Sequence, residues 1–270
     1  MKPEKRKQKT IAHNHIIHTL YFIFCVICLT CCSIIPEEER IVEMDEVVPQ
    51  KNILLLDFTD QQCINCPEAA IILDSLQKNY GRALIVVSIH SSRINLPLVT
   101  QEGKDYDQYW EINYTHPNAV IDGLGVYLKD SWGGKVRERL NVQSLINLDL
   151  ESSYNESTSE INITSEIFSS SLSENLKYQL WIIEDSIVDW QLIGAKEYNA
   201  DYVHNHVFRS SINGFNGENI NLTNGETKLQ HTFSISDKAW NIHHLSVVGF
   251  IFNTSSNEVY EVKQNKLFEN

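Results

Sequence analysis

Asp57-Phe-Thr-Asp-Gln-Gln-Cys63-Ile-Asn-Cys66-Pro67 is the stretch on which the reading of this chain turns. The run leading into it, Lys51-Asn-Ile-Leu-Leu-Leu-Asp-Phe58, has the length and apolar continuity of a strand covered on both faces. Pro67 suits a first helical turn, where its missing N–H is not needed. Glu68 to Asn79 then carries apolar residues at helical spacing until Tyr80-Gly81 stops it. Ala83-Leu-Ile-Val-Val-Ser-Ile89 is a second buried strand. Strand, Cys-x-x-Cys, helix and strand make a β-α-β unit with both sulfurs at the helix N-terminus. Unpaired N–H groups and the helix dipole stabilise a thiolate there and lower the pKa of the first cysteine. Cys63 is therefore the expected nucleophile and Cys66, one turn in, the resolving thiol. Three readings of the pair stand open: a working redox centre, half of a metal site, or a structural disulfide.

Two further elements bear on the choice. Asp57 lies six residues before Cys63, and Thr115-His116-Pro117-Asn-Ala-Val-Ile-Asp122-Gly123 sets a proline just ahead of another apolar strand. With these the segment resembles the thioredoxin superfamily. The resemblance implies that Asp57 is a buried carboxylate of raised pKa relaying a proton for Cys66. It also implies that Pro117 is cis and faces the sulfurs, presenting the backbone of His116 to an extended substrate, with Ile64 and Asn65 lining the same groove. The sequence departs from the superfamily where Gln62 replaces the usual tryptophan and Ile64-Asn65 separates the cysteines. Redox potential is sensitive to those positions, so the direction of electron flow is left open.

At 270 residues and 42% hydrophobic, the chain can bury a core for one large domain or two ordinary ones, and two are expected. The formal net charge is −13, and because the first 31 residues carry a net +4, their removal takes it to −17. A product this acidic, with no basic cluster elsewhere, repels nucleic-acid phosphates. Nucleic-acid binding is the least favoured reading on that ground, and no nucleic-acid partner is expected. The basic N-terminus is followed by an apolar run, Leu20 to Leu29, too short to span a bilayer comfortably. It ends in Leu29-Thr-Cys31-Cys32-Ser33, which resembles a bacterial lipobox, with Cys32 as the expected lipid-bearing residue. Cys31 in that role would put Cys28 where the motif wants leucine. An uncleaved signal anchor and an ordinary signal peptide are the plainer alternatives. Residues 32–50 are acidic and aperiodic and read as a tether. Once the leader leaves and Cys32 is acylated, only Cys63 and Cys66 remain as thiols, in an oxidising compartment.

The expected layout is a leader (1–31), the tether (32–50), an α/β thioredoxin-like domain (51–148) and an all-β domain (149–270). In the first domain Tyr106 to Glu111 reads as part of a helix. Trp132 to Leu140 reads as a loop entering a closing helix that ends near Leu148. In the second, Glu160 to Phe168 and Leu176 to Glu184 alternate with period two, as hairpin strands do. Further strands are expected at 187–192, 204–211, 229–235, 245–253 and 259–263, in an immunoglobulin-like sandwich. His204 and His206 would share one face of an extended strand. That leaves a metal site with the thiols as a third reading, although no further ligand stands at matching spacing.

Leu56 to Pro67, Val86-Val-Ser-Ile-His90, Glu184-Asp-Ser-Ile-Val with Gln191, and Tyr202 to Arg209 followed by Asn213-Gly214 are together similar to a family of Gram-negative outer-membrane lipoproteins related to a twenty-eight-kilodalton outer-membrane protein. The likeness covers most of the mature chain and implies a location rather than an activity. The leading expectation is a lipid-anchored thiol-disulfide oxidoreductase acting on extracytoplasmic proteins or peptides, without a cofactor. The competing one is a binding or assembly lipoprotein whose disulfide is locked.

Overall fold

The computed structural model describes residues 51–169, 175–222 and 225–268. The leader, Cys32 and the acidic tether lie outside the described residues. All the described residues belong to one compact unit. Among the described residues no helix is long and apolar enough to cross a membrane.

The first strand, β1 (Ile53–Thr59), is buried at all seven positions and pairs in parallel with β2 (Leu84–His90), Ile53 opposite Leu84 and Thr59 opposite His90. Between them runs helix α1 (Cys66–Tyr80), with Pro67 in its first turn. Helix α2 (Gln101–Tyr109) starts at Thr100, whose hydroxyl accepts the Gly103 N–H at 2.9 Å. Strands β3 (Asn118–Ile121) and β4 (Val126–Leu128) form a hairpin laid antiparallel on β1, and helix α3 (Trp132–Leu140) follows. The remaining chain is strand: β5 (Ile146–Asn155), β6 (Glu160–Ser169), β7 (Leu176–Glu184), β8 (Ile187–Gly194), β9 (Glu197–His204), β10 (Val207–Ser211), β11 (Glu218–Ile220), β12 (Gly225–Ser234), β13 (Leu245–Asn253) and β14 (Val259–Lys266).

These strands overturn the expected α/β thioredoxin-like domain followed by a separate immunoglobulin-like sandwich. Strand dominates, with three α-helices against fourteen strands among the described residues. One nine-stranded sheet runs β14-β13-β7-β10-β2-β1-β3-β4, with β11 added to β7. It crosses the expected boundary at residue 149 through β10, which pairs in parallel with β2 at Val207 and Ser88. The physical reason lies in β7, whose Tyr178 to Glu184 are all buried. A sandwich strand would show one face to water. β7 instead needs cover on both faces and takes a central place between β13 and β10.

For the same reason β6 and β7 do not form the expected hairpin. β6 pairs with β5 and β12 in a separate three-stranded sheet. Trp132 to Leu140 is itself the helix, and Ile146-Asn-Leu-Asp-Leu alternates buried and exposed as β5, where a helix end was expected. The expected strand over 204–211 breaks at His206, whose φ of 58° lies in the left-handed region, so β9 ends and β10 begins on either side of it.

Alternation along the central strands sorts the core into three clusters. Leu54, Leu56 and Phe58 face one side together with Trp181, Ile183, Val248 and Phe250, under Tyr106 of α2. Ile53 and Leu55 face the other side, packing on Leu73 of α1 and on Trp132, Val136 and Leu140 of α3. On that second side, farther along the sheet, Leu180, Ile182, Val247 and Ile251 meet Ile161, Ile163 and Ile167 of the three-stranded layer.

Asp122 joins the parts. Its side chain is fully buried, Oδ1 accepts the Leu54 N–H at 3.0 Å, and Oδ2 lies 2.8 Å from Lys51 Nζ and 2.9 Å from Arg139 Nε. Its backbone N–H donates to Leu54 O and its carbonyl accepts the Val259 N–H. Gly123 beside it has a φ of 71°, and a Cβ there would stand 1.9 Å from Asn257 O, so the close approach of the β13–β14 turn requires glycine. Asp122→Ala takes from the buried Lys51, the partly buried Arg139 and the Leu54 N–H an acceptor that they share. It is expected to lower unfolding free energy by about 3–5 kcal/mol, read as a drop in urea midpoint at constant m-value. A loss below about 1 kcal/mol would show that the carboxylate is not what ties these elements together.

Candidate functional site

β1 delivers the chain to Asp60, where the backbone turns, and the Cys63 N–H donates to Asp60 O at 3.0 Å. Cys63 and Cys66 are joined in a disulfide with Cα atoms 5.4 Å apart. Cys66, the first residue of α1, is buried, whereas Cys63 is half-buried and Ile64 and Asn65 between them are exposed. Of the two, Cys63 is the more exposed residue.

Asp57 lies two strand positions behind this loop and is buried. Burial pushes its carboxyl up to about 7, only partly opposed by His116, by the Ser88 hydroxyl and by His206. Ser88 Oγ donates to Oδ2 at a long 3.5 Å, and Oδ1 has no hydrogen-bond partner among the described residues. Asp57 and Cys66 line one cavity of about 80 Å³, closed by Ala70 and Leu73 of α1 on one side and by His90, His204 and Gln191 on the other. That volume has room for a few waters between polar walls.

His90 and His204 stand together, ring centroids 5.3 Å apart. Burial, and for His90 also the neighbouring His204, depress the pKa of both. Both rings stay neutral near pH 7. His90 Nδ1 and His204 Nε2 lack partners among the described residues. His206 does not share a strand face with His204, because the chain turns at it, and its Nδ1 lies 3.0 Å from Asp185 Oδ1. Among the described residues no three His, Cys, Asp or Glu side chains converge as metal ligands.

The His116–Pro117 peptide bond is cis. Asn118, the next residue, stands opposite Phe58 in the β1–β3 register, so Pro117 sits at the same end of the sheet as the cysteine loop. The imidazole of His116 turns inward. Its Nε2 is 3.0 Å from Ser91 Oγ and 3.4 Å from Asp107 Oδ2, and Ser91 Oγ donates to the same carboxylate oxygen at 2.6 Å. Ser91 and Asp107 are fully buried, so this trio is no exposed nucleophile with its base. Burial pushes the Asp107 carboxyl up, but hydrogen bonds from His116, Ser91 and the Tyr114 N–H outweigh it and hold it low. The trio fixes the loop that carries Pro117.

Sequence reasoning assigned no role to the residues that fasten the cysteine loop from the other side. The β8–β9 hairpin is a two-stranded sheet of its own, and its inner strand lies along residues 60–63. Gln191 Nε2 donates to Cys63 O at 3.0 Å and Asp60 O at 3.3 Å. Gln61 Nε2 donates to Trp190 O at 2.9 Å, and the Leu192 N–H returns to Gln61 O at 2.8 Å. Both glutamine side chains are buried. Both lie in stretches that carry the family resemblance, Gln61 within Leu56 to Pro67 and Gln191 named beside Glu184 to Val188, but the sequence gave neither a contact.

HBP35 of Porphyromonas gingivalis has a similar structure, with a TM-score of 0.67 at 15% identity over 80% of this chain and 75% of that one. A domain of the outer membrane lipoprotein Omp28 from the same organism aligns at 22% identity over 46% of this chain and 88% of its own, with a TM-score of 0.34 too low to speak to fold. No curated protein matches the chain. Residues 103–270 match the family of the outer membrane protein Omp28, well over half of the sequence. The chain therefore belongs to the Omp28 family, an outer-membrane lipoprotein family of the Gram-negative cell envelope.

Proposed function

We propose that the protein is a lipid-anchored thiol-disulfide exchange protein acting on extracytoplasmic proteins or peptides, held in the membrane through Cys32. The observation that carries this reading is the asymmetry of the pair: an accessible Cys63, and a buried Cys66 that shares a polar cavity with a carboxyl titrating near 7. A substrate thiolate attacks Cys63 Sγ, a mixed disulfide forms, and Cys66 leaves as a thiolate that takes its proton from neutral Asp57. Attack by a second substrate thiolate on its own sulfur in the mixed disulfide then releases an oxidised substrate and a reduced Cys63–Cys66 pair. The reverse sequence reduces a substrate disulfide, with Asp57 accepting the proton. Pro117 and the backbone at His116, together with Ile64 and Asn65, would border the groove that holds the substrate chain.

A second reading, a binding lipoprotein with a locked disulfide, draws support from the glutamine clasp that holds the loop against the β8–β9 hairpin. The pH dependence of Cys63 alkylation and the potential of the pair separate the two. Exchange activity requires a thiolate pKa well below the free value of about 8.5 and a potential above roughly −230 mV. An ordinary pKa, or a potential below about −300 mV, supports the locked disulfide and rules out exchange.

Asp57 provides a further test with a defined sign. Its carboxyl titrates at about 7 in the folded protein against an ordinary 3.8. Between those values the folded state binds more protons than the unfolded one, so stability falls as pH rises through that window and levels off above 7. Asp57→Asn removes the penalty. The variant should melt higher than the parent at pH 8, by an equivalent of at most about 4 kcal/mol, and the gain should vanish as pH falls below 4. The same substitution should slow the step that releases or engages Cys66 by roughly a hundredfold at pH 7, measured with a dithiol peptide in stopped flow. An unchanged rate would remove Asp57 from the exchange step.

A further inference from the structure

The side of the central sheet bearing Leu54, Leu56 and Phe250 is covered less completely than the other. Opposite it lie two helices and a three-stranded layer, but on this side only α2 and the loop at Phe215 close over the strands. Between them a cavity of about 250 Å³ remains, walled by Tyr106, Trp110, Trp181, Phe215, Phe250 and Phe252. It is distinct from the cavity at Asp57, with which it shares no lining residue.

Three observations define what it would take. First, its walls are flat: Tyr106 stacks on Phe215 with centroids 4.4 Å apart, and Trp181 meets Phe250 edge to face at 4.8 Å. Second, the polar tips of Trp181, Tyr106 and Tyr109 are already used. Trp181 Nε1 donates to Tyr106 Oη, which donates in turn to Phe215 O, and Tyr109 Oη donates to Asn257 Oδ1. The interior therefore offers aromatic surface rather than hydrogen bonds. Third, in a chain of net charge −13 no acidic residue lines this cavity, and its one charged side chain is the half-buried Lys177. Lys177 Nζ donates one hydrogen bond, to Asn216 O, and has two protons left.

We propose that this cavity is a binding site for a small flat aromatic acid of one or two rings, its rings between the aromatic walls and its carboxylate at Lys177. A dry cavity of about 150 Å³ accommodates benzene, so the present volume suits a bicyclic ring system. Edge-to-face and stacked contacts favour an aromatic body over an alkyl chain of equal size.

The test is calorimetric titration of the soluble chain from Ser33 onward, which keeps the whole compact unit, with 1-naphthoate as probe. Saturable one-to-one binding is expected. Lys177→Gln should weaken naphthoate about tenfold and leave the neutral analogue 1-naphthalenemethanol unchanged. Thr254→Trp, at an exposed rim position, should abolish binding of both while the melting temperature stays at the parent value. The proposal is overturned by the absence of saturable heat up to about 1 mM probe. Binding indifferent to both substitutions, or octanoate binding more tightly than naphthoate, overturns it equally.

Discussion

A single buried carboxylate holds this fold in register. Asp122 sits where β3 ends, yet its two oxygens and its backbone reach β1, α3, Lys51 and the turn before β14. Two cations neutralise it, Lys51 from just before β1 and Arg139 from α3, and Arg139 is shared with Glu258. Asn52 adds a direct tie to β14, its Nδ2 donating to Val262 O at 2.9 Å. Gly123 completes the junction by admitting the β13–β14 turn at a distance no side chain would tolerate.

From that junction the two faces of the sheet acquire different tasks. The face carrying Ile53 and Leu55 is sealed by α1 and α3, and Asp57, next but one along the same face, is thereby enclosed beside Cys66. Enclosure by α1 below and the β8–β9 hairpin to the side raises the carboxyl toward neutrality. The opposite face, with less laid over it, keeps an aromatic cavity instead. Both features follow from one parity rule, in which residues two apart along a strand share a neighbourhood.

Much of the local structure was legible because it depends on local rules. The β-α-β unit around Cys63 and Cys66 follows from two continuous apolar runs, a proline in a first helical turn and the intervening amphipathic period. Leu245 to Asn253 was likewise readable as a strand. What the sequence did not disclose is partnership. The buried run in β7 looks like the strand of a self-contained sandwich until β10 meets β2 through Val207 and Ser88, a contact between residues far apart in the chain. The same holds at the site. Asp57 was singled out by a family resemblance, but Gln61 and Gln191 act through carbonyls that become neighbours only after folding. His206 misled because strand alternation assumes an extended backbone, and a positive φ at that residue ends the strand.

The long sheet must also stop somewhere, and how it stops matters for a protein confined to a membrane. At one margin β4 is only three residues long, and at the other β14 carries Lys263 and Lys266 near its end. Short or lysine-bearing margins discourage strands of neighbouring molecules from adding on. Confinement to the plane of a membrane multiplies encounters between copies, and at these two margins of the long sheet it meets edges that disfavour pairing.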